Sequence, residues 1–259
     1  MANLKTSYLG LELKTPLVVS SGPFTSDVES VAKLEQAGAA AVVMKSIFEE
    51  QIRDDVSGMV AALEGDTSGA AMEYLRADLP GQLGPEAYLD KIVAMRKRVK
   101  IPIIASVNCV EASKWITYAR KIERAGADAL ELNLYHMPVD PDETADRVEG
   151  RRLELVKAVL AEVKLPVSVK LSQHYTTLLP FARMLDAMGV KGLVLFNRFL
   201  QTEVDIEKEA IYFAPDYSSP KVLHAQLRWT AVLRGWVRCS IAVSGGIHTG
   251  DELVKSLLV

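Results

Sequence analysis

Apolar residues in this chain fall into short runs that close on a polar or glycine residue. Each run is followed by a longer stretch in which apolar positions recur every three or four residues. The run Leu130-Glu131-Leu132-Asn133-Leu134 shows the first pattern most clearly. As an extended strand it puts three leucines on one face and Glu131 and Asn133 on the other. In a parallel barrel the leucines pack outward against helices, and the two polar side chains point at the barrel axis. Asn133 then lies near the C-terminal end of its strand, where such barrels keep their chemistry. An antiparallel strand with one wet face would show the same alternation, so the neighbouring segments decide.

They repeat the theme. Strands are predicted at Pro16–Pro23, Ala41–Ser46, Pro102–Asn108, around Asn133, at Pro166–Ser172, Gly192–Asn197 and Ile241–Gly246. Between them helical spacing predicts helices from Ser26 or Asp27 to Gly38, then over Glu86–Val99, Ser113–Arg124, Gly150–Val163, Leu178–Met188 and Lys221–Val237, with a last one beginning at Asp251. A short hairpin opens the chain. Seven strands alternating with helices predict parallel βα units, and one domain's length favours a TIM (β/α)8 barrel over an open doubly wound sheet. The count stops one unit short, so the expectation is a single (β/α) barrel domain over residues 1–259 that lacks the eighth βα unit. Two excursions interrupt it, near 48–85 over the barrel mouth, expected to be partly mobile, and near 199–220 as an inserted ribbon.

Composition narrows the function classes. The chain has 259 residues, 49% of them hydrophobic, with 30 Lys and Arg against 33 Asp and Glu, a net charge of -3. That balance offers no bulk attraction for nucleic acid or an anionic membrane, so a small-molecule partner is expected. Two cysteines, Cys109 and Cys239, support neither a disulfide framework nor a multi-cysteine metal site, and no metal is expected. The N-terminus lacks a signal pattern and no apolar run is long enough to span a bilayer, which predicts a soluble, cytoplasmic protein.

If the barrel forms, its C-terminal rim collects Ser20, Ser21, Gly22, Lys45, Ser46, Asn108, Asn133, Lys170, Asn197, Gly245 and Gly246 from seven strands. Lys45 and Lys170 each close an apolar strand, where a charge is costly unless it meets an anionic or hydrogen-bonding partner. A lone lysine at a strand end can also snorkel to solvent; two lysines with three asparagines at matching positions point to a site. Ser244-Gly245-Gly246 turns from a strand toward a helix start, a geometry whose backbone N–H groups can hold phosphate.

The ordered set Ser20-Ser21-Gly22-Pro23, Lys45-Ser46, Asn108, Glu131-Leu132-Asn133-Leu134, Val169-Lys170-Leu171-Ser172, Asn197 and Ser244-Gly245-Gly246-Ile247 resembles the dihydroorotate dehydrogenase family, its soluble class especially. The resemblance spans nearly the whole chain. It implies FMN at the barrel mouth: the Ser20–Gly22 backbone against the isoalloxazine, Lys45, Ser46 and Lys170 by the ring, Asn108 and Asn133 on ring, ribityl groups or substrate, and Gly245 and Gly246 on the phosphate. Lys45, Asn133 and Asn197 are the implied substrate contacts.

The departures from the family pattern bear on the substrate. Where the family writes Asn-Leu-Ser-Cys-Pro, or serine for the cysteine, this chain has Asn133-Leu134-Tyr135-His136-Met137-Pro138. His136 falls in the column of the base, with one extra residue before Pro138. Arg198 follows Asn197 in place of a small hydroxyl residue.

The expected function is an FMN-dependent oxidation of dihydroorotate or a related CH–CH donor in pyrimidine metabolism, with His136 and Lys170 as catalytic residues. A homodimer or an electron-acceptor partner is compatible with it. Two rivals remain at this stage, a Schiff-base aldolase or lyase using Lys170 or Lys45, and a flavin-binding electron-transfer subunit without substrate chemistry of its own.

Overall fold

In the computed structural model, residues 3–48, 85–108, 112–134, 140–198, 201–214 and 218–259 are described. The predicted excursion near 48–85 and the loop bearing His136 therefore lie almost wholly or wholly outside the described residues. The strands are β1 (Thr6–Tyr8), β2 (Leu11–Leu13), β3 (Val18–Val19), β4 (Ala41–Val43), β5 (Ile47–Phe48), β6 (Ile103–Asn108), β7 (Ala129–Asn133), β8 (Val167–Leu171), β9 (Gly192–Leu195), β10 (Gln201–Asp205), β11 (Ala210–Ala214) and β12 (Ser240–Val243).

β3, β4, β6, β7, β8, β9 and β12 lie side by side in one parallel sheet, and β5 continues the line of β4 along β6. Among the described residues β3 and β12 are the sheet's two edges. This is the predicted barrel-type α/β fold with seven strand positions. The two remaining strand pairs are antiparallel: β1 with β2 is the predicted opening hairpin, and β10 with β11 is the predicted ribbon.

Alternation along the strands sorts the core into two parts. Leu130, Leu132, Val167, Val169, Ile103 and Ala105 belong to the larger cluster shared with the helices. The alternate positions Ala41, Val43, Ile104 and Ala129 belong to a second cluster with Tyr8, Leu9 and Leu13 of the opening hairpin. The hairpin thus plugs the interior at the N-terminal ends of the strands. Leu9 N–H donates to Ser240 Oγ at 3.2 Å, and a Cβ at Gly192 would meet Leu9 Cδ2 at 2.4 Å, so the glycine makes room for the plug.

The helices follow the predicted order with shifted ends. Asp27 caps Val28–Gln36 by accepting from Ser30 N–H at 2.9 Å. The helix expected from Gly150 begins earlier, at Ala145, because Thr144 accepts from Arg147 N–H as its cap; Gly150 lies inside the helix. A glycine there costs about 1 kcal/mol, which the buried positions Val148, Leu155, Val156 and Val159 outweigh. The helix expected over Lys221–Val237 is shorter. A 3-10 turn at Pro220–Val222 leads into Leu223–Leu233, and Arg234, Gly235 and Trp236 form a turn. Of the predicted strand Pro16–Pro23, only Val18 and Val19 are laddered.

Candidate active site

Parallel register converts the alternation of β6, β7 and β8 into layers across the barrel. Asn108 stands opposite Asn133, and Asn133 opposite Lys170. One layer deeper, Ser106 stands opposite Glu131, and Glu131 opposite Ser168. Below these come Ile104 and Ala129, which rest on the hairpin plug. All six polar residues are buried, including Glu131 at 3% and Lys170 at 8% exposure.

The two polar layers differ in how their groups are satisfied. In the outer layer the acceptor oxygens Asn108 Oδ1 and Asn133 Oδ1 are buried and have no hydrogen-bond partner among the described residues. Buried polar atoms are rarely left so, and two on adjacent strands at a strand-end mouth mark a place for a ligand's donors. In the inner layer, Ser106 Oγ donates to Glu131 Oε1 at 3.4 Å. Burial pushes the Glu131 carboxyl above the usual carboxylate range, against the opposing pull of the Lys170 charge and the Ser106 hydrogen bond. Burial likewise raises the phenol of Tyr8, with the Glu131 carboxylate adding to the rise.

Ser46 reaches the site through a break in the ladder that also holds the half-buried Lys45. β4 pairs Val43 with Ile104 and β5 pairs Ile47 with Val107, so three residues of one strand, 44 to 46, span two of its neighbour, 105 and 106. That is a one-residue bulge, a device that re-aims side chains. Met44 N–H still donates to Ile104 C=O at 2.9 Å, but Ser46 N–H instead donates to Ser21 Oγ at 2.9 Å. The N–H of Ser106 is left to Tyr88 of the helix Pro85–Arg98. Its hydroxyl accepts from Ser106 N–H at 2.9 Å and donates to Ser106 C=O at 3.1 Å. The phenol oxygen takes the place of the strand carbonyl that Ser106 N–H has lost. The bulge brings Ser46 Oγ to 2.8 Å from Ser106 Oγ and 3.1 Å from Ser21 Oγ.

The remaining predicted residues divide. Asn197 is half-buried at the mouth, its N–H donating to Leu171 C=O at 2.7 Å. Gly22 is in extended backbone and accepts from Thr25, and Ser20 is exposed beside it. Gly245 and Gly246 have φ of 90° and 76°, and a Cβ on Gly246 would lie 2.9 Å from Leu223 N, so the turn needs glycine to pass the start of the helix Leu223–Leu233. Gly246 N–H is engaged by Ser218 Oγ at 2.9 Å. Gln226 of that helix donates to Ser244 C=O at 3.1 Å and ties the turn to the helix.

Sequence reading missed four participants: Tyr88, Ser106, Ser218 and Gln226. Ser106 had a signal, since it shares a strand face with Asn108 as Glu131 does with Asn133. Tyr88 had none, because helical spacing marks it as core without revealing what its hydroxyl meets. No group of three or more metal-ligating side chains occurs among the described residues, and no described helix is long and apolar enough to cross a membrane.

A parallel barrel with a buried lysine, two orphaned amide oxygens and a glycine turn at its strand ends defines a cofactor- or substrate-binding α/β barrel. The profile of the dihydroorotate dehydrogenase family matches residues 3–258, and the chain belongs to that family, whose members are FMN-dependent oxidoreductases acting on CH–CH groups. Its relatives include the catalytic subunit of dihydroorotate dehydrogenase B (NAD(+)) from Alkaliphilus metalliredigens, 27% identical over 99% of this chain and 84% of that protein. The corresponding subunit from Thermoplasma acidophilum is 27% identical over 100% and 84%. Dihydroorotate dehydrogenase A (fumarate) from Lactobacillus delbrueckii subsp. bulgaricus is 24% identical over 100% and 84%. Among solved structures, an IMP dehydrogenase/GMP reductase-like protein from Corynebacterium glutamicum superposes with a TM-score of 0.52 at 17% identity. The alignment covers 98% of this chain and 64% of that one, and it shows the fold alone.

Proposed function

We propose that this chain binds FMN across the barrel mouth and oxidises dihydroorotate or a related CH–CH donor in pyrimidine metabolism. The observation that carries the reading is the outer layer, where the buried Lys170 adjoins two orphaned amide oxygens. The residues fit the group. Flavin N3–H, ribityl hydroxyls and the ring amides of a dihydropyrimidine are donors that Asn108 and Asn133 can accept, and a lysine beside the flavin's N1 edge stabilises the negative charge it gains on reduction.

Lys45 and Ser46, re-aimed by the bulge, complete that edge with the Ser20–Gly22 backbone, and Asn197 lies on the substrate side. Gly245 and Gly246, with Ser218, form the turn suited to the phosphate, since backbone amides and a hydroxyl can donate to it. The bound flavin supplies a two-electron acceptor for hydride. The chain supplies the base, for which His136 is the candidate. A single domain, a soluble location in the cytoplasm and an electron-accepting partner complete the reading.

The test is the visible spectrum of the purified protein and of Lys170→Ala. Yellow protein with non-covalent FMN, and much weaker flavin retention or reduction in the variant, is the expected outcome; colourless protein that takes up no FMN on reconstitution overturns it. Single-turnover reduction by dihydroorotate then assigns the base: an unchanged rate in His136→Ala removes His136 from that role. The buried lysine also motivates the Schiff-base rival, which borohydride trapping with carbonyl substrates would reveal as a stable adduct lost in Lys170→Ala.

A further inference from the structure

The bulge also sets the position of Ser46. It closes a continuous line of hydroxyls from the mouth to the buried carboxyl of Glu131. Ser21 Oγ, half-buried at the end of β3, lies 3.1 Å from Ser46 Oγ; Ser46 Oγ lies 2.8 Å from Ser106 Oγ; and Ser106 Oγ lies 3.4 Å from Glu131 Oε1. In both hydroxyl pairs either oxygen can be the donor. The chain therefore has two self-consistent orientations. With Glu131 ionised, every hydroxyl donates inward toward the carboxylate. With Glu131 protonated, its O–H donates to Ser106 and every hydroxyl donates outward. The alignment with the two protonation states of one carboxyl is the distinctive feature, because a serine cluster that served packing alone would need no ionisable terminus.

The groups facing Glu131 allow either state. Lys170 on β8 favours the carboxylate, burial favours the acid, and Tyr8 of the hairpin and Tyr88 of the helix Pro85–Arg98 are neutral phenols held so by burial. Tyr8 also bonds Ser168, which stands across from Glu131 on β8.

We infer that Glu131 is the inner end of a proton relay that exchanges one proton with the barrel mouth through Ser106, Ser46 and Ser21. When an atom at the mouth gains negative charge, the Glu131 O–H bond breaks as Ser106 takes that proton. Ser106 passes its own proton to Ser46, Ser46 to Ser21, and Ser21 to the charged atom. At each station one O–H bond forms as one breaks, and no electron moves. Loss of the charge runs the line in reverse. The identity of the charged group rests on the oxidoreductase reading above; the relay itself does not.

The experiment is infrared spectroscopy of the protein without added flavin. In neutral H2O the wild type is expected to show a protonated-carboxyl C=O band that Glu131→Gln removes. On transfer to D2O that band shifts quickly in the wild type and more slowly, by on the order of tenfold or more, in Ser106→Ala and Ser46→Ala, each of which deletes one hydrogen-bonded station. Glu131→Gln keeps the side-chain size, and near-ultraviolet circular dichroism checks that each variant is folded; either serine variant alone suffices if the other misfolds. The relay is overturned if Glu131→Gln removes no such band, or if exchange is equally fast in both serine variants, which would mean that water reaches Glu131 directly. In a second arm, protein loaded with FMN is reduced with dithionite, and the band is expected to diminish. Failure of FMN to bind would refute the functional reading and leave the exchange arm to decide the relay.

Discussion

Tyr88→Phe isolates the bulge, because it removes one oxygen and leaves the ring in the core. The Tyr88 hydroxyl is the partner of both Ser106 N–H and Ser106 C=O, and both residues are buried, at 4% and 0% exposure. The C=O keeps a ladder neighbour through the Ile47–Val107 pairing, but the N–H has none, because the pairing with β4 ends at Val43–Ile104. An orphaned buried donor costs about 1–3 kcal/mol, which is the expected cost of the substitution. For a chain of this size each kcal/mol lowers Tm by about 2–4 °C, which places the fall at roughly 2–12 °C. Urea unfolding followed by circular dichroism, with thermal melts as a second measure, provides the assay. The expected pattern is a lower midpoint with an unchanged slope, together with weaker FMN retention, because Lys45 and Ser46 lose the geometry that aims them. A loss below about 0.5 kcal/mol, the ordinary range for an inconsequential substitution, would refute the reasoning by showing that water or a relaxed ladder satisfies Ser106.

Glu131→Gln changes how stability depends on pH. Because the folded carboxyl is raised above its unfolded value, the folded state holds the extra proton, so wild-type stability falls as pH rises from the ordinary carboxylate range through the raised value. Glu131→Gln should remove that decline, and parallel stability profiles for the two proteins over that range would contradict it. Gly246→Ala places a Cβ 2.9 Å from Leu223 N at a φ of 76°, so it should destabilise by about 1–3 kcal/mol and displace the turn proposed for the phosphate; a variant with wild-type stability and FMN affinity would count against both effects.

The fold was largely legible because a parallel strand advertises itself twice, in its apolar run and in the helix that returns the chain. Alternation in Leu130–Leu134 predicted which side chains face the axis, and the register of β6, β7 and β8 places Glu131 and Asn133 there. Boundaries were less legible where a weak signal beat a strong one. Gly150 looked like a helix start, but the Thr144 cap and four buried apolar positions carry the helix through it. The bulge was not legible at all, since it is a mismatch of one residue between β4–β5 and β6, and strand runs read singly carry no register between neighbours. For the same reason Ser46 read only as a rim residue, while its contact with Ser106 depends on that mismatch.

The two buried layers follow from one alternation, yet hydrogen bonding gives them different chemistry. Polar side chains inside a barrel are a stability cost unless each finds a partner. The inner layer finds partners within the chain: Ser106 meets Glu131 and Ser46, and Ser168 meets Tyr8. The outer layer stops short, with two amide oxygens beside Lys170 unmet among the described residues. A ligand gains most where the protein has left donors or acceptors unanswered, because no internal hydrogen bond must be broken to bind it. The outer layer is therefore the one we propose to hold the ligand, and the inner layer the one we propose to keep a proton in its absence.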